Sequence, residues 1–384
     1  MKIAVNTRLL LKNKMDGIGQ FTYQSFLHIT KNNPEHQFVF IFDRKPHPDF
    51  IKEKNISYKV IAPQTRHIIL IKIWYQISLH KLLKKINADI FVGTDGIIPL
   101  KTNTKTLSVI HDLNFEHHPE HLPNNVRKFY CKYFPLFSKK ANRIATVSEY
   151  SKSDIVKTYN IDADKIDVVY NGANKNFKPI SEEEQSLVKD EYTQGANFFL
   201  FVGTLHPRKN LINLFKAFDK FKKESDSGYK LLVVGKKMWW TNEIENTYNN
   251  LNHKNDIIFV GRVPENDLYK IIASAYALTY VPVFEGFGIP LAEAMNCGVP
   301  VITSNVTSMP EVVEEAGILV NPNSVDDICS AMKRISADNK LRQELSEKSL
   351  IQAKKFNWER TGDLLWESIV KTIRENYITN NIKN

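Results

Sequence analysis

The 384-residue sequence holds only three cysteines, Cys131, Cys297 and Cys329. They lie far apart and lack metal-ligand spacing, which excludes a disulfide scaffold or a zinc ribbon and fits a reducing compartment. No window approaches the roughly 18 apolar residues of a membrane span. The opening MKIAVNTRLL has no apolar run of signal-peptide length, so a cytoplasmic location is expected. Acids are in the minority, 42 against 52 lysines and arginines, for a formal net charge of +10. That balance favours anionic partners such as nucleotide phosphates or anionic lipid heads. No RNA- or DNA-binding signature accompanies it, so nucleic acid is not an expected partner. The dinucleotide fingerprint is also missing. Gly17-Ile18-Gly19-Gln20-Phe21 is followed by Thr22 where G-x-G-x-x-G carries its third glycine, which argues against a dehydrogenase.

What is present suffices for two ordinary domains, with 42% hydrophobic residues to build their cores. Short apolar strands alternate with helical patterns, the signature of α/β domains with parallel sheets. In the first half, strands are expected at Lys2–Asn6, Phe38–Phe42, Lys59–Ala62, Asp89–Gly93, Lys105–Ile110, Ile144–Val147 and Ile166–Tyr170. Phe177–Gly195 is polar and suits a partly helical crossing. The pattern then restarts at Phe198–Val202, Leu231–Gly235 and Ile257–Val260, and ends with a helix from Trp358 to Tyr377 and a frayed tail to Asn384.

The most informative stretch is Val283–Thr303, VFEGFGIPLAEAMNCGVPVIT. An apolar strand enters a loop with Gly286 and Gly288, where a ligand can approach the backbone. Pro290 suits a helix first turn, and Gly298 suits its left-handed end. A helix start behind open glycine backbone is an anion site. Two carboxylates flank it, Glu285 in the loop and Glu293 one turn into the helix. Acids beside a phosphate site make sense if they accept hydrogen bonds from sugar hydroxyls. The ligand implied has phosphates in the middle and hydroxylated rings on either side, as in a nucleotide sugar.

Other loops supply complementary chemistry. Gly203-Thr204-Leu205-His206-Pro207-Arg208-Lys209-Asn210 follows a strand and precedes a helix that Asn210 can cap. Arg208 and Lys209 stand where cations can neutralise a diphosphate, Arg208 bidentately. His111 and Asp112 follow a strand at its carboxyl end, where open α/β sheets place ligands. Gly17 and Gly19 open a helix. Asn114–Pro123 carries His117, His118 and His121, but no helix or strand spacing holds them on one face, so no metal site is expected. His67–Ile86 is a helix with an apolar start and Lys72, Lys81, Lys84 and Lys85. It reads either as a core helix with a basic outer face or as a membrane-facing, lipid-acceptor element.

Glu285-Gly-Phe-Gly-Ile-Pro-Leu-Ala-Glu293 resembles the E-x7-E motif of retaining glycosyltransferases, in the large family 4 with the GT-B fold. The segments at 16–21, 111–112 and 203–210 resemble further motifs of that family. The resemblance implies two Rossmann-like domains facing across a cleft. An acceptor domain of residues 1–178 would be completed by a returning helix at 362–384, and residues 179–361 would form the donor domain. It implies that His111 touches the transferred sugar and that the Gly17–Gly19 loop faces the donor diphosphate. The donor would also meet Asp112, Gly203, Thr204, Gly286, Phe287, Gly288, Ile289, Pro290 and Glu293, and Arg262 and Val263 would reach the nucleobase by backbone bonds. Lys209 matches the family's usual lysine, but Thr204 stands where many members carry arginine, a task Arg208 would take over. Within the family the resemblance is to mannosyltransferase-like members that build bacterial surface polysaccharides. The reaction implied is retaining transfer of a hexose, mannose from GDP-mannose, to a saccharide or polyprenyl-linked saccharide acceptor. Catalysis would involve His111, Glu285, Arg208 and Lys209. No divalent metal is expected, because these cations hold the leaving group and no D-x-D pair sits in a phosphate-facing loop. The other readings are a sugar-nucleotide epimerase of the same fold or a nucleotide-sugar-binding protein that does not turn over.

Overall fold

A computed structural model of the chain describes residues 1–12 and 14–381. It divides into two compact units, one of Met1–Gly172 with Trp358–Asn384 and one of Ala173–Asn357. The boundaries fall a few residues before those expected, 178 and 361. Local hydrogen bonding explains both shifts. Ala173 bridges Asn357 in parallel, and its N–H donates to the Phe356 carbonyl at 3.3 Å, which draws 173–178 into the second unit. Thr361 donates its hydroxyl to the Tyr170 carbonyl at 2.7 Å, which fixes the start of the last helix to the first unit.

The first unit is a seven-stranded parallel sheet built from β1 (Lys2–Asn6), β2 (Gln37–Phe42), β3 (Ile56–Val60), β4 (Ile90–Gly93), β5 (Lys105–Ile110), β6 (Arg143–Thr146) and β7 (Ile166–Val168), in the order β3-β2-β1-β4-β5-β6-β7. β3 lies a few residues before the stretch expected from the sequence. Its burial is low because it is an edge strand, so its side chains carry little hydrophobic signal. The second unit is a six-stranded parallel sheet of β8 (Phe198–Val202), β9 (Lys230–Val234), β10 (Ile257–Gly261), β11 (Ala277–Tyr280), β12 (Val301–Ser304) and β13 (Gly317–Val320), ordered β10-β9-β8-β11-β12-β13. Central strands such as β8, FFLFV, are buried at every position. Helices cover both faces of a doubly wound parallel sheet, so its strands are apolar throughout rather than alternating.

The last helix runs Trp358–Asn381, longer than expected, and residues 382–384 lie outside the described residues. It packs on the first unit. Asp363 meets His28 at 2.7 Å, and Ser368 donates to Asp167 at 2.6 Å. The 67–86 stretch is helical with a π-helical middle turn, Trp74–Leu79, between Ile68–Ile73 and His80–Ile86. One face, with Trp74, Tyr75, Leu79 and Leu83, is fully buried. The opposite face exposes Ile69, Ile73 and Ile77 among Lys72, Lys81, Lys84 and Lys85, as a core helix with a basic outer face requires. Among the described residues no helix is long and apolar enough to cross a membrane.

Candidate functional site

Chain order in the second sheet sets the expected donor residues of 203–210 and 285–293 on neighbouring loops. β8 and β11 are neighbours at the point where the winding reverses, and loops leaving their carboxyl ends bound the crevice where such sheets bind ligands. After β8, Gly203 adopts φ +151° and donates its N–H to the Val234 carbonyl at 2.9 Å. The fit is close, since a Cβ on Gly235 would lie 1.8 Å from the Gly203 carbonyl oxygen. Thr204 is exposed. The chain then makes a 3-10 turn at Pro207–Lys209, with Arg208 N–H donating to His206 Nδ1 at 3.2 Å. That turn sets both cations just before the helix Leu211–Ser225.

Asn210 does not cap this helix with its side chain, contrary to expectation. It occupies a left-handed conformation, φ +63°, and its amide donates instead to the Val281 carbonyl at 3.0 Å and the Pro322 carbonyl at 2.7 Å. Val283 N–H donates to the Arg208 carbonyl at 2.9 Å. Asn210 is thus a brace between three strand-end loops, a role its position before a helix concealed.

Glu285 sits in the loop after β11, fixed by the buried Ser308 hydroxyl donating to its carbonyl at 2.9 Å. Its carboxylate accepts from Lys209 Nζ and from the Tyr280 hydroxyl at 3.2 Å, and Arg208 lies 3.5 Å away. Lys209 Nζ also donates to the Tyr280 hydroxyl and lies 4.9 Å from that ring's centre. Burial pushes the Glu285 carboxyl up, but Arg208 and Lys209 outweigh it and hold it below the ordinary value, so it is ionised at neutral pH. Tyr280 escaped sequence reading because it ends a buried strand and looks like core.

The glycine loop is shaped by packing. Gly288 has φ +87°, and a Cβ there would lie 2.9 Å from Met309 Cε. The helix Ile289–Asn296 starts immediately, with Pro290 in its first turn, so its first amides face the loop. Gly286 and Phe287 are buried, and the Phe287 ring packs edge-on against Phe356 at 5.3 Å. Glu293 stands one turn along. Burial, with a smaller push from Glu265, raises its carboxyl to about 8, so it is mostly neutral at pH 7. Gly261, φ +69°, ends β10 at a bulge and accepts from Gly235 N–H at 2.8 Å. Arg262, exposed, and Val263, half-buried, follow it. Gly203, Gly235 and Gly261 are therefore laced together at three adjacent strand ends. Gly235 was readable only as the glycine closing a V-V-G strand.

In the first unit His111 follows β5. Its Nε2 lies 3.0 Å from the Thr94 carbonyl, an acceptor only, so Nε2 carries the proton and Nδ1 is left as the acceptor. Burial lowers its pKa below the usual histidine value, so the ring is neutral at pH 7. Phe21, on the helix opened by Gly17 and Gly19, stands edge-on to the ring at 5.1 Å. The Gly19 N–H is already engaged by the capping Asp16 carboxylate at 2.8 Å, and a Cβ there would lie 2.9 Å from the Leu9 carbonyl. Gly19 is therefore small for close packing, whatever else that turn does. Asp112 accepts from Asn114 N–H at 3.0 Å.

Sequence reading missed a buried polar group at the reversal point of this sheet. Arg8, just past β1, donates to Asp95, just past β4, at 2.6 and 2.9 Å. Tyr75 donates to the same carboxylate at 2.7 Å and accepts from Asn6 at 2.8 Å. The strand-end rule that singled out His111 applies equally to these residues.

The two-sheet architecture is that of solved GT-B glycosyltransferases. A glycosyltransferase from Rickettsia africae superposes with a TM-score of 0.73 at 18% identity, covering 98% of this chain and 99% of that one. WaaG, a glycosyltransferase involved in lipopolysaccharide biosynthesis, gives 0.74 at 16% identity over 94% and 97% of the two chains. At the sequence level, residues 16–177 match Glycosyltransferase Family 4 and residues 182–350 match Glycosyl transferases group 1. O-antigen chain mannosyltransferase B of Escherichia coli is 32% identical over 271 residues, 70% of this chain and 71% of that protein. O-antigen chain mannosyltransferase RfbU of Salmonella typhimurium is 32% identical over 262 residues, 68% and 69% of the two chains. The chain belongs to this glycosyltransferase family, among relatives that include O-antigen mannosyltransferases.

Proposed function

We propose that the protein transfers mannose from GDP-mannose, with retention of anomeric configuration, to a hydroxyl of a glycan or lipid-linked saccharide. The observation that carries this reading is the ionised Glu285 held by Arg208 and Lys209 at the mouth of a glycine loop and a helix start. The donor diphosphate takes those two cations and the helix-start amides, and Glu285 turns to accept hydrogen bonds from the sugar hydroxyls. Glu293, half-buried and mostly neutral, receives the ribose. Neutral His111 offers an acceptor nitrogen to the transferred sugar. The acceptor oxygen bonds to the anomeric carbon on the face the diphosphate leaves. The C–O bond to phosphate breaks, and the departing phosphate oxygen takes the acceptor's proton. Arg208 and Lys209 stabilise the leaving charge, so the reaction needs no divalent metal. The identity to mannosyltransferases supports mannose as the sugar.

The test is a thermal-shift screen across GDP- and UDP-sugars, followed by turnover with the stabilising donor. Stabilisation by UDP-sugars alone would sink the GDP-mannose reading. Incubation without acceptor separates the transferase from an epimerase, which would release an epimer of the donor, and from a sensor, which would leave donor intact even when acceptor is added.

A further inference from the structure

Beyond His111 and Asp112 the chain forms a short helix, Asn114–His117, and a single 3-10 turn, Pro119–His121. The sequence offered no helix or strand period that would bring its histidines together. A 3-10 turn does so differently, because with three residues per turn positions three apart eclipse. His121 N–H donates to the His118 carbonyl at 3.0 Å, and the two rings stack with centroids 4.8 Å apart. Glu120 turns its carboxylate to both, with Oε1 3.2 Å from His118 Nδ1 and 3.5 Å from His121 Nε2. One ligand atom from each residue lies within 4.8 Å of the others. His117 points elsewhere, to Asp154 at 2.8 Å.

We propose that His118, Glu120 and His121 form a binding site for a zinc-type divalent cation. Two imidazole nitrogens and one carboxylate oxygen suit zinc and neighbouring transition metals, whereas magnesium and calcium prefer all-oxygen sets. Tetrahedral zinc with bonds near 2.0–2.1 Å spaces its ligand atoms about 3.3 Å apart, close to both contacts of Glu120. The surroundings of His121 point the same way. Its Nδ1 lies 3.2 Å from Asn114 Oδ1, an acceptor, so Nδ1 carries a proton and Nε2 is the nitrogen that can ligate. That nitrogen faces the Glu120 carboxylate at 3.5 Å, where a cation bound by both would replace a proton. An outer carbonyl that fixes the tautomer of a ligating histidine is a regular feature of metal sites.

A metal lies in the plane of each ring it binds, so the stack, 17° from parallel, must open. His118, with its side chain 29% exposed against 7% for His121, supplies that rotation. Glu120 is 63% exposed, which leaves room for a water as fourth ligand. Asn114 links the site to Asp112, since its side chain accepts from His121 and its N–H donates to the Asp112 carboxylate. The ion would brace the loop behind His111 and Asp112. This inference is independent of the donor chemistry proposed above.

The test uses the full-length protein stripped by chelator and titrated calorimetrically with zinc chloride alone. One zinc should bind per chain, with no competition from millimolar magnesium. His118→Asn and Glu120→Gln should each weaken binding tenfold or more, the scale of altered metal shells. Both residues are partly exposed, and circular dichroism checks that the variants fold. Asn114→Ala should weaken uptake through the tautomer of His121. Affinity should fall from pH 7.5 to 5.5 as protons compete for the imidazoles. Zinc binding that both ligand variants leave unchanged would place the ion elsewhere, for instance on a cysteine, and overturn the proposal. So would an absence of zinc uptake at about 100 µM, in which case a shared proton joins Glu120 to its histidines.

Discussion

Replacing Glu285 by alanine removes an anion shared by two cations and tests both its structural and its chemical role. Coulomb attraction across the 3.5 Å to Arg208 amounts to roughly 5 kcal/mol at an effective dielectric near 20, most of it offset by desolvation. Breaking a buried pair typically costs 3–5 kcal/mol. Glu285 retains 13% exposure and Arg208 25%, so a loss near the low end, about 3 kcal/mol, is expected in urea unfolding. Because the folded carboxyl is held below its ordinary value, this stability is present above about pH 4.5 and lost as pH falls through the folded value. Lys209→Met in the Glu285→Ala background should cost much less than in the wild type, since its partner is already gone. Catalytically, turnover of the folded variant should fall at least ~100-fold, about 2.7 kcal/mol of transition-state stabilisation. Radiolabelled transfer at saturating donor, below the variant's melting temperature, reads this directly. Wild-type turnover from folded Glu285→Ala protein would refute the assignment, leaving the triad as a structural clamp.

Glu293→Ala is expected to weaken donor binding while sparing kcat, and a variant with unchanged donor affinity would remove Glu293 from the ribose site. The wild-type carboxyl is pushed up to about 8, so charging it destabilises the native state progressively as pH rises from about 4.5 through 8. Glu293→Gln should therefore gain melting temperature over wild type at pH 9 relative to pH 5, with a ceiling of about 5 kcal/mol; parallel pH profiles would contradict this. His111 is held neutral below the usual histidine range, so its protonation should cut kcat only below that range, and a profile halved near pH 6.5 would assign the ring an ordinary environment. Activity abolished by EDTA and restored by magnesium would overturn the metal-independent reading of the donor site. Finally, Ile69, Ile73 and Ile77 with their neighbouring lysines should bind anionic vesicles, each lysine contributing ~1 kcal/mol. Lys81→Glu with Lys84→Glu, or high salt, should release the protein; binding insensitive to both would point to a soluble acceptor.

The sequence was most legible where one residue type has one physical use. Buried parallel strands such as β8 announce themselves by unbroken apolar runs, and Gly288 and Gly298 marked the ends of a helix through conformations that side chains resist. The 285–293 loop was readable because a carboxylate set beside open glycine backbone has little use except to meet a ligand. Residues whose role depends on a distant partner were not readable. Tyr280 is a core aromatic until Lys209, 71 positions away, reaches its hydroxyl. Asn210 stood in a capping position, yet its amide was claimed by carbonyls 71 and 112 residues on. The Arg8–Asp95 pair joins residues 87 apart, at a point fixed only by strand order. The histidine turn was hidden by a helix type too short to leave a period.

The contact of Glu285 with Arg208 and Lys209 bears on timing as well as affinity. In the transfer proposed above, the cations that receive the diphosphate are already occupied by the protein's own carboxylate. An arriving donor must displace that internal ligand, which shortens its residence. After transfer the same carboxylate can reclaim both cations as the nucleoside diphosphate departs. An enzyme arranged this way carries a tethered competitor against product inhibition, and its cycle is expected to be limited by bond cleavage rather than by release.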